Sequence, residues 1–399
     1  MKKLLMATTA MAFAAGTAFA DGHSEVKIGV ILGFTGPLES ITPAMGAGAE
    51  LAMAEVTESG ALLGGATVTS VRGDSTCIDA GAATTAAERL ITSDGVNAIM
   101  GADCSGVTGA ILTNVALPNG VVMISPSATS PGLSHANNED NGLFFRTAPS
   151  DARQGVIITE ILQDRGVGEV ALTYTNNDYG KGLADAFQAA FEAAGGTVTI
   201  SAAHEDGKAD YSAEVGALAS AGGEVLVVAG YVDQGGSGII RSALDAGAFD
   251  TFYMPDGMVG VKLNENFGDE LNGSYGAYPG TDSPGAAAFV EMAEAAGFDG
   301  TGAFSPESYD AAALIMLAMQ AAESTDSADF KDHVMDVANA PGTEIFPGEL
   351  AKGLELLAAG EDIDYVGASA VELIGPGESA GNYQEIEFAD GVYSTIGYR

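Results

Sequence analysis

Tryptophan is absent from the 399 residues, so aromatic contact with any ligand falls to phenylalanine and tyrosine. Basic side chains are scarce: 15 Lys and Arg stand against 54 Asp and Glu, a formal net charge of −39. Such a surface repels phosphates instead of exchanging counterions with them, which excludes nucleic acid as a partner, and the same field disfavours anionic lipid. The four histidines (23, 135, 204 and 333) are scattered without ligand spacing, so neither a metal nor a cofactor is expected. No apolar run reaches the ~20 residues needed to span a bilayer. Cysteine occurs only at Cys77 and Cys104.

What is present is apolar material and glycine. Hydrophobic residues make up 47% of the chain, enough for full cores, which excludes an acidic disordered chain. Fifty-five glycines imply many tight turns or close backbone approaches. The length predicts two or three domains. At the start, Lys2 and Lys3, the short apolar stretch from Leu4 to Phe13 and the small residues Thr17-Ala18-Phe19-Ala20 have the form of a secretory leader cleaved after Ala20. That places the mature chain in the periplasm. In an oxidising compartment two nearby thiols usually pair. A Cys77–Cys104 bond would constrain the unfolded chain by roughly 3–4 kcal/mol, and two free buried thiols are the alternative. The dense negative charge reads as adaptation to salty surroundings.

The pattern along the chain is a strand–helix alternation. Strands are expected at 26–32, 68–71, 96–100 and 121–124, with helices at 43–58, 80–91 and 107–117 between them. This rhythm predicts a parallel sheet wrapped by helices on both faces. It restarts after a boundary near Phe145 to Ser150. Leu183, Phe187 and Phe191 repeat at helical spacing before a strand at 197–201, with further strands at 170–174, 225–228 and 251–254. A strand over 273–278 carries the chain back. Helices are expected at 284–296 and 308–322, and a third over 330–357. The end reads as a β-hairpin around Asp390-Gly391.

Enzyme signatures are missing: there is no Gly-x-Ser-x-Gly elbow, no Walker loop and no complete Gly-x-Gly-x-x-Gly after the first strand. The informative positions are where strands end, because open α/β sheets bind ligands outside the carboxyl ends of their strands. After the third strand comes Asp103-Cys104-Ser105-Gly106, opening a helix; its N–H groups and the Ser105 hydroxyl suit a carboxylate, and a plain helix cap at Ser105 is the alternative. After the fourth comes Ser125-Pro126-Ser127-Ala128-Thr129-Ser130-Pro131, rich in hydroxyls and stiffened by two prolines.

These loops carry a resemblance. Lys27-Ile28-Gly29-Val30 with Thr35-Gly36-Pro37, then Cys104-Ser105, Ser125-Pro126-Ser127-Ala128-Thr129, Asn177-Asp178-Tyr179-Gly180-Lys181-Gly182, Ala229-Gly230-Tyr231, Met254-Pro255-Asp256-Gly257 and Glu307-Ser308-Tyr309-Asp310 resemble, in order, the periplasmic leucine/isoleucine/valine-binding protein family. The resemblance implies a type I periplasmic binding protein: two doubly wound parallel-sheet lobes joined by three crossovers. It implies lobe 1 over 25–147 plus 279–362 and lobe 2 over 148–278 plus 363–399, the third crossover lying near 362–367. It implies a monomeric, non-enzymatic receptor that hands a branched-chain or related amino acid to an ABC permease in the inner membrane. Alternatives are a ligand-sensing receptor of the same fold, a receptor for small amides or aromatic acids, and, last, an exported enzyme.

Residue roles follow from the same resemblance. Ser105, Ser127 and Thr129 would hold the ligand's carboxylate and part of its ammonium group; Asp256 would pair with the ammonium, one methylene shorter than the glutamate usual there. Tyr179 and Tyr231 would close over the ligand, and Cys77 and Cys104 would form the family's disulfide. Phe34, Glu39 and Ile41 occupy the segment that would line the side-chain pocket, Glu39 either turned inward, demanding a polar side chain, or turned to water.

Overall fold

A computed structural model describes residues 25–138 and 140–399; the expected leader over residues 1–20 lies outside the described residues. The first five strands are β1 (Glu25–Leu32), β2 (Thr67–Asp74), β3 (Ala98–Gly101), β4 (Met123–Ser125) and β5 (Phe144–Pro149), and they pair in parallel. The next five are β6 (Glu169–Thr175), β7 (Thr197–His204), β8 (Val225–Ala229), β9 (Phe252–Met254) and β10 (Tyr275–Pro279), again parallel. A small parallel pair follows, β11 (Thr343–Ile345) with β12 (Ile363–Tyr365). Last come β13 (Leu373–Ile374), β14 (Glu378–Ser379), β15 (Tyr383–Ala389) and β16 (Val392–Tyr398).

The two large sheets share one plan. The first runs β13-β14-β5-β4-β3-β1-β2 and the second β16-β15-β10-β9-β8-β6-β7. In both, the strand order reverses beside the first-formed strand, the point where open α/β sheets leave a crevice at their carboxyl ends. Strands buried on both faces read as near-continuous apolar runs: Ile28 and Val30–Leu32 of β1 and every residue of β8 are buried.

Helices close both faces. Thr42–Ser59 lies against Ser305–Ala321, and a Cβ on Gly48 would stand 2.6 Å from the Ser305 carbonyl oxygen, so only glycine allows this approach. Ser305–Ala321 is buried through its first four turns, the central helix of the first lobe. The hairpin forms as the Asp390-Gly391 pair requires, with φ of 52° and 79° at the two turn residues. No described helix is long and apolar enough to cross a membrane.

Three expectations are corrected. The stretch 144–149 is a fifth strand, not only a boundary. The segment 330–357 is not one helix: it breaks into short turns, β11 and the helix Leu350–Ala358, because Pro341 and Pro347 cannot donate within a helix. The third crossover is not near 362–367. Residues 363–379 stay with the first lobe, since β14 pairs with β5 and β13 with β14, so the chain crosses last between Ser379 and Tyr383. Two-residue strands and glycine-rich turns gave no periodicity from which to place that edge.

Candidate functional site

The loops after β1, β3 and β4 face the loops after β6, β8 and β9 across the cleft, and the two lobes touch there. Asp233, after β8, accepts the Ser40 N–H at 2.8 Å and donates its own N–H to the Pro37 carbonyl at 3.2 Å. Between the lobes lies a cavity of about 20 Å3, room for one water and little more. The first lobe lines it with Leu38, Met45, Asp103, Cys104, Ser105, Ser127 and Phe304, the second with Tyr179, Tyr231, Asp256 and Gly257.

The first wall is built by short polar ties. Asp103 takes the Gly33 N–H at 2.9 Å and the Ser75 hydroxyl at 2.9 Å, binding the ends of β1 and β2 to the end of β3. Cys77 and Cys104 form a disulfide with Cα atoms 5.1 Å apart, within the usual range. Ser105 is the first residue of its helix and Cys104 precedes it as the cap, so the Ser105 hydroxyl is not spent on capping; it accepts the Ser130 N–H at 3.1 Å. Ser127 donates to the Asp103 carbonyl at 3.0 Å.

The Ser-Pro loop is held from behind by Arg146 on β5. Its guanidinium donates to the carbonyls of Ala128 (2.9 Å) and Ser130 (3.0 Å), to the Ser134 hydroxyl (2.7 Å) and to Glu378 on β14 (2.5 Å). Thus β14, the late edge strand of the first sheet, also anchors the arginine that positions this loop. Phe304 enters from the start of the central helix with φ of 63°, a left-handed conformation uncommon for an aromatic residue.

The second wall centres on Asp256, which opens a turn after β9. One of its oxygens takes the Tyr179 hydroxyl at 2.6 Å and the Gly257 N–H at 2.8 Å. Tyr179 and Tyr231 stack with centroids 5.2 Å apart and planes 17° off parallel, and Asn177 reaches the Tyr231 hydroxyl at 3.3 Å while capping its helix at Gly180. Burial raises the pKa of Asp256 and of Asp103, and pushes both tyrosines well up, because the charged forms lose their hydration.

Of the expected site residues, Ser105, Ser127, Tyr179, Tyr231 and Asp256 meet at the cavity. Thr129 is fully buried but does not line it. Glu39 is exposed, turned to water. Phe34 is half-buried under the Arg72 guanidinium, 4.9 Å from its ring centre, and Ile41 packs at the lobe junction near Gly260; neither lines the cavity. The apolar wall is Leu38, Met45 and Phe304 instead. Met45 and Phe304 were invisible as site residues because an apolar side chain on a helix reads as core. Asp103 had a signal, its place beside Cys104 at a strand end. A larger cavity of about 580 Å3 opens between residues 278–306 and the terminal hairpin. Asp282, itself exposed, is the only charged group among its lining residues. Convergent buried polar groups, not volume, make the smaller cavity the candidate site.

The chain is similar to known proteins over most of its length. A family model described as periplasmic binding protein matches residues 25–349. The Leu/Ile/Val-binding protein homolog 3 of Brucella melitensis is 30% identical over 322 residues, 80% of this chain and 85% of that one. The branched-chain amino acid transporter substrate binding protein LivJ of Streptococcus pneumoniae, solved with isoleucine, shares the fold with a TM-score of 0.76 at 21% identity, covering 94% of this chain and 99% of that one. A solute binding protein of an ABC transporter from R. palustris, solved with benzoate, shares it with a TM-score of 0.72 at 19% identity, covering 94% and 96%. At these identities the two solved structures speak for the fold alone.

Proposed function

This chain belongs to the periplasmic binding protein family, and we propose that it is the ligand receptor of an ABC importer, binding a branched-chain or related amino acid between its lobes. The observation that carries the reading is the division of the cavity: hydroxyls of Ser105 and Ser127 on one wall, the Asp256 carboxylate on the other, and Leu38, Met45 and Phe304 beside them. A zwitterion with an aliphatic side chain satisfies all three. Ser105 and Ser127 receive its carboxylate, with Thr129 behind them, Asp256 its ammonium, and Tyr179 and Tyr231 cover it. Because each lobe holds one end, the ligand favours the closed form, which the permease reads.

The protein acts after export, cleaved behind Ala20, as a periplasmic monomer without cofactor. We read it as a receptor and not as an enzyme: among the described residues no histidine lines the cavity beside Ser105 and Ser127 to activate a hydroxyl. A receptor for aromatic acids is the second reading, favoured by the stacked tyrosines and opposed by the buried carboxylates, which repel an anion lacking a compensating ammonium. A thermal-shift screen against the amino acids, small amides and aromatic acids separates the two, since tight ligands raise apparent stability. Stabilisation by leucine, isoleucine or valine is expected; stabilisation by aromatic acids alone refutes the amino-acid reading.

A further inference from the structure

The cavity of about 580 Å3 has no part in the amino-acid reading, yet both lobes build it. It opens beside two of the three crossovers. The chain passes from the second lobe to the first over residues 280–283, between β10 and the helix Pro284–Ala296, and returns between Ser379 and Tyr383. The two passages run together: Pro279 pairs with Tyr383, and the Gly280 N–H donates to the Asn382 carbonyl at 3.0 Å. The first lobe lines the cavity with the helix Pro284–Ala296, Thr301 and Ser369, and the second with Tyr278, Gln384 and β16.

Most of its hydrogen-bonding groups are already spent. The Tyr278 hydroxyl reaches the Thr301 carbonyl of the other lobe at 3.5 Å, and the Ser369 hydroxyl donates to Asp310 at 2.6 Å. The Gln384 side-chain oxygen accepts the Thr395 hydroxyl at 3.0 Å, and the Thr281 and Ser283 hydroxyls accept N–H groups of their own turn. A sugar or other polyol, which needs free donors and acceptors, finds few. What is left over is aromatic surface and negative charge. Tyr398 is 46% exposed, Tyr393 is half-buried against Phe388 with ring centres 5.5 Å apart, and Tyr278 closes the buried end. The phenols of Tyr393 and Tyr398 both act on that of Tyr278, as do the acids Glu307 and Asp299. No Lys, Arg or His lines the cavity, Asp282 is its one charged lining group, and the chain's net charge of −39 has the same sign.

We propose that this cavity is a second ligand site, which takes a small organic cation of the alkylated-ammonium class against Tyr278, Tyr393 and Tyr398 with Asp282 at its rim, and whose occupant favours the closed lobes. Such a head group brings positive charge and methyl surface but no N–H that must be satisfied. That complements a tyrosine-lined cavity whose hydrogen bonds are taken. An anion is repelled there. The site lies outside the interlobe cleft and does not depend on the amino-acid reading. Its position nevertheless couples the two. An occupant touching both lobes beside their crossovers favours the arrangement in which the lobes meet over the cleft, so cation and amino acid each tighten the other's binding.

The test is calorimetric titration of the full protein with choline chloride at fixed ionic strength. One choline per chain is expected, and 3,3-dimethylbutan-1-ol, with carbon in place of the nitrogen, should bind at least tenfold more weakly. Tyr398→Ala should weaken choline at least fivefold, and Asp282→Asn two- to fivefold. Saturating L-leucine should tighten choline two- to tenfold. No choline binding, equal binding of the neutral analogue, or a Tyr398→Ala affinity within twofold of the parent overturns the inference. Asp282→Asn, an exposed carboxylate exchanged for its amide, decides by the same criterion if Tyr398→Ala fails to fold. Leucine that binds but displaces choline, or leaves its affinity unmoved, overturns the inference too. If leucine does not bind at all, the amino-acid reading fails on its own, and the choline titrations still decide this one.

Discussion

Replacing Asp256 by asparagine should move affinity and stability in opposite directions. Asp256 is 1% exposed, and one of its oxygens already satisfies the Tyr179 hydroxyl and the Gly257 N–H. Asparagine keeps an acceptor oxygen for both, so the wall of the cleft stays in place and only the charge is lost. In the empty protein that charge is a cost: it is fully buried and shares its surroundings with Asp151. Removing it should stabilise the apo form by on the order of 1 kcal/mol, about 2–4 °C in Tm. In the proposed complex it pairs with the ammonium, and a charge-assisted hydrogen bond is worth roughly 1.5–3 kcal/mol. Affinity should therefore fall by roughly tenfold to a hundredfold. Calorimetry against L-leucine and a thermal melt without ligand read the two effects on one preparation. A variant that melts below the parent, or binds leucine within twofold of it, refutes the assignment of Asp256 as a charge held for the ligand. Ser105→Ala should cost less, since it removes a neutral hydroxyl.

Asp233→Ala removes the side-chain half of the contact between the loops after β1 and β8; the cleft should open more readily, with a two- to tenfold weaker affinity and a larger unliganded radius by small-angle scattering. Glu307, buried behind the site, is pushed up to about 8 from an ordinary 4.5 by burial. Its contribution to stability is full below the ordinary value and is lost as pH rises through 8, so melts should decline across that window and Glu307→Gln should flatten the decline. Replacing Cys77 and Cys104 together by serine should lower stability by roughly 3 kcal/mol, read by chemical denaturation. Parent material showing two free thiols by mass spectrometry would remove the basis for that loss.

Much of the fold was legible because parallel strands buried on both faces, such as Val225–Ala229, leave unmistakable apolar runs with helices between them. Asp390-Gly391 announced its hairpin by backbone chemistry alone. The first lobe's far edge was not legible: β13 and β14 have two residues each and are placed by pairing with β5, a long-range effect with no local signature. The polar half of the site was legible at strand ends, where serines and an aspartate have no reason to be buried unless something meets them. Its apolar half was not, since Leu38, Met45 and Phe304 look like any other core residue until the lobes are brought together. Arg146 was missed for a related reason: its partner Glu378 reaches it from an edge strand more than 230 positions later, a pairing with no local signature.

The last crossover also bears on how the chain comes to be folded. The first lobe receives its edge strand and the Glu378 partner of Arg146 from residues 373–379, some 350 positions after β1 began it. No uninterrupted stretch of sequence contains that lobe, and the arginine that sets the Ser-Pro loop stays uncompensated until nearly the whole chain is present. A chain emerging amino end first can gather its early parallel strands but cannot lock them, since the closing pieces are the last to appear. It also means that removing the last 22 residues, and Glu378 with them, should release not the tail alone but the ordering of a loop more than 240 residues upstream.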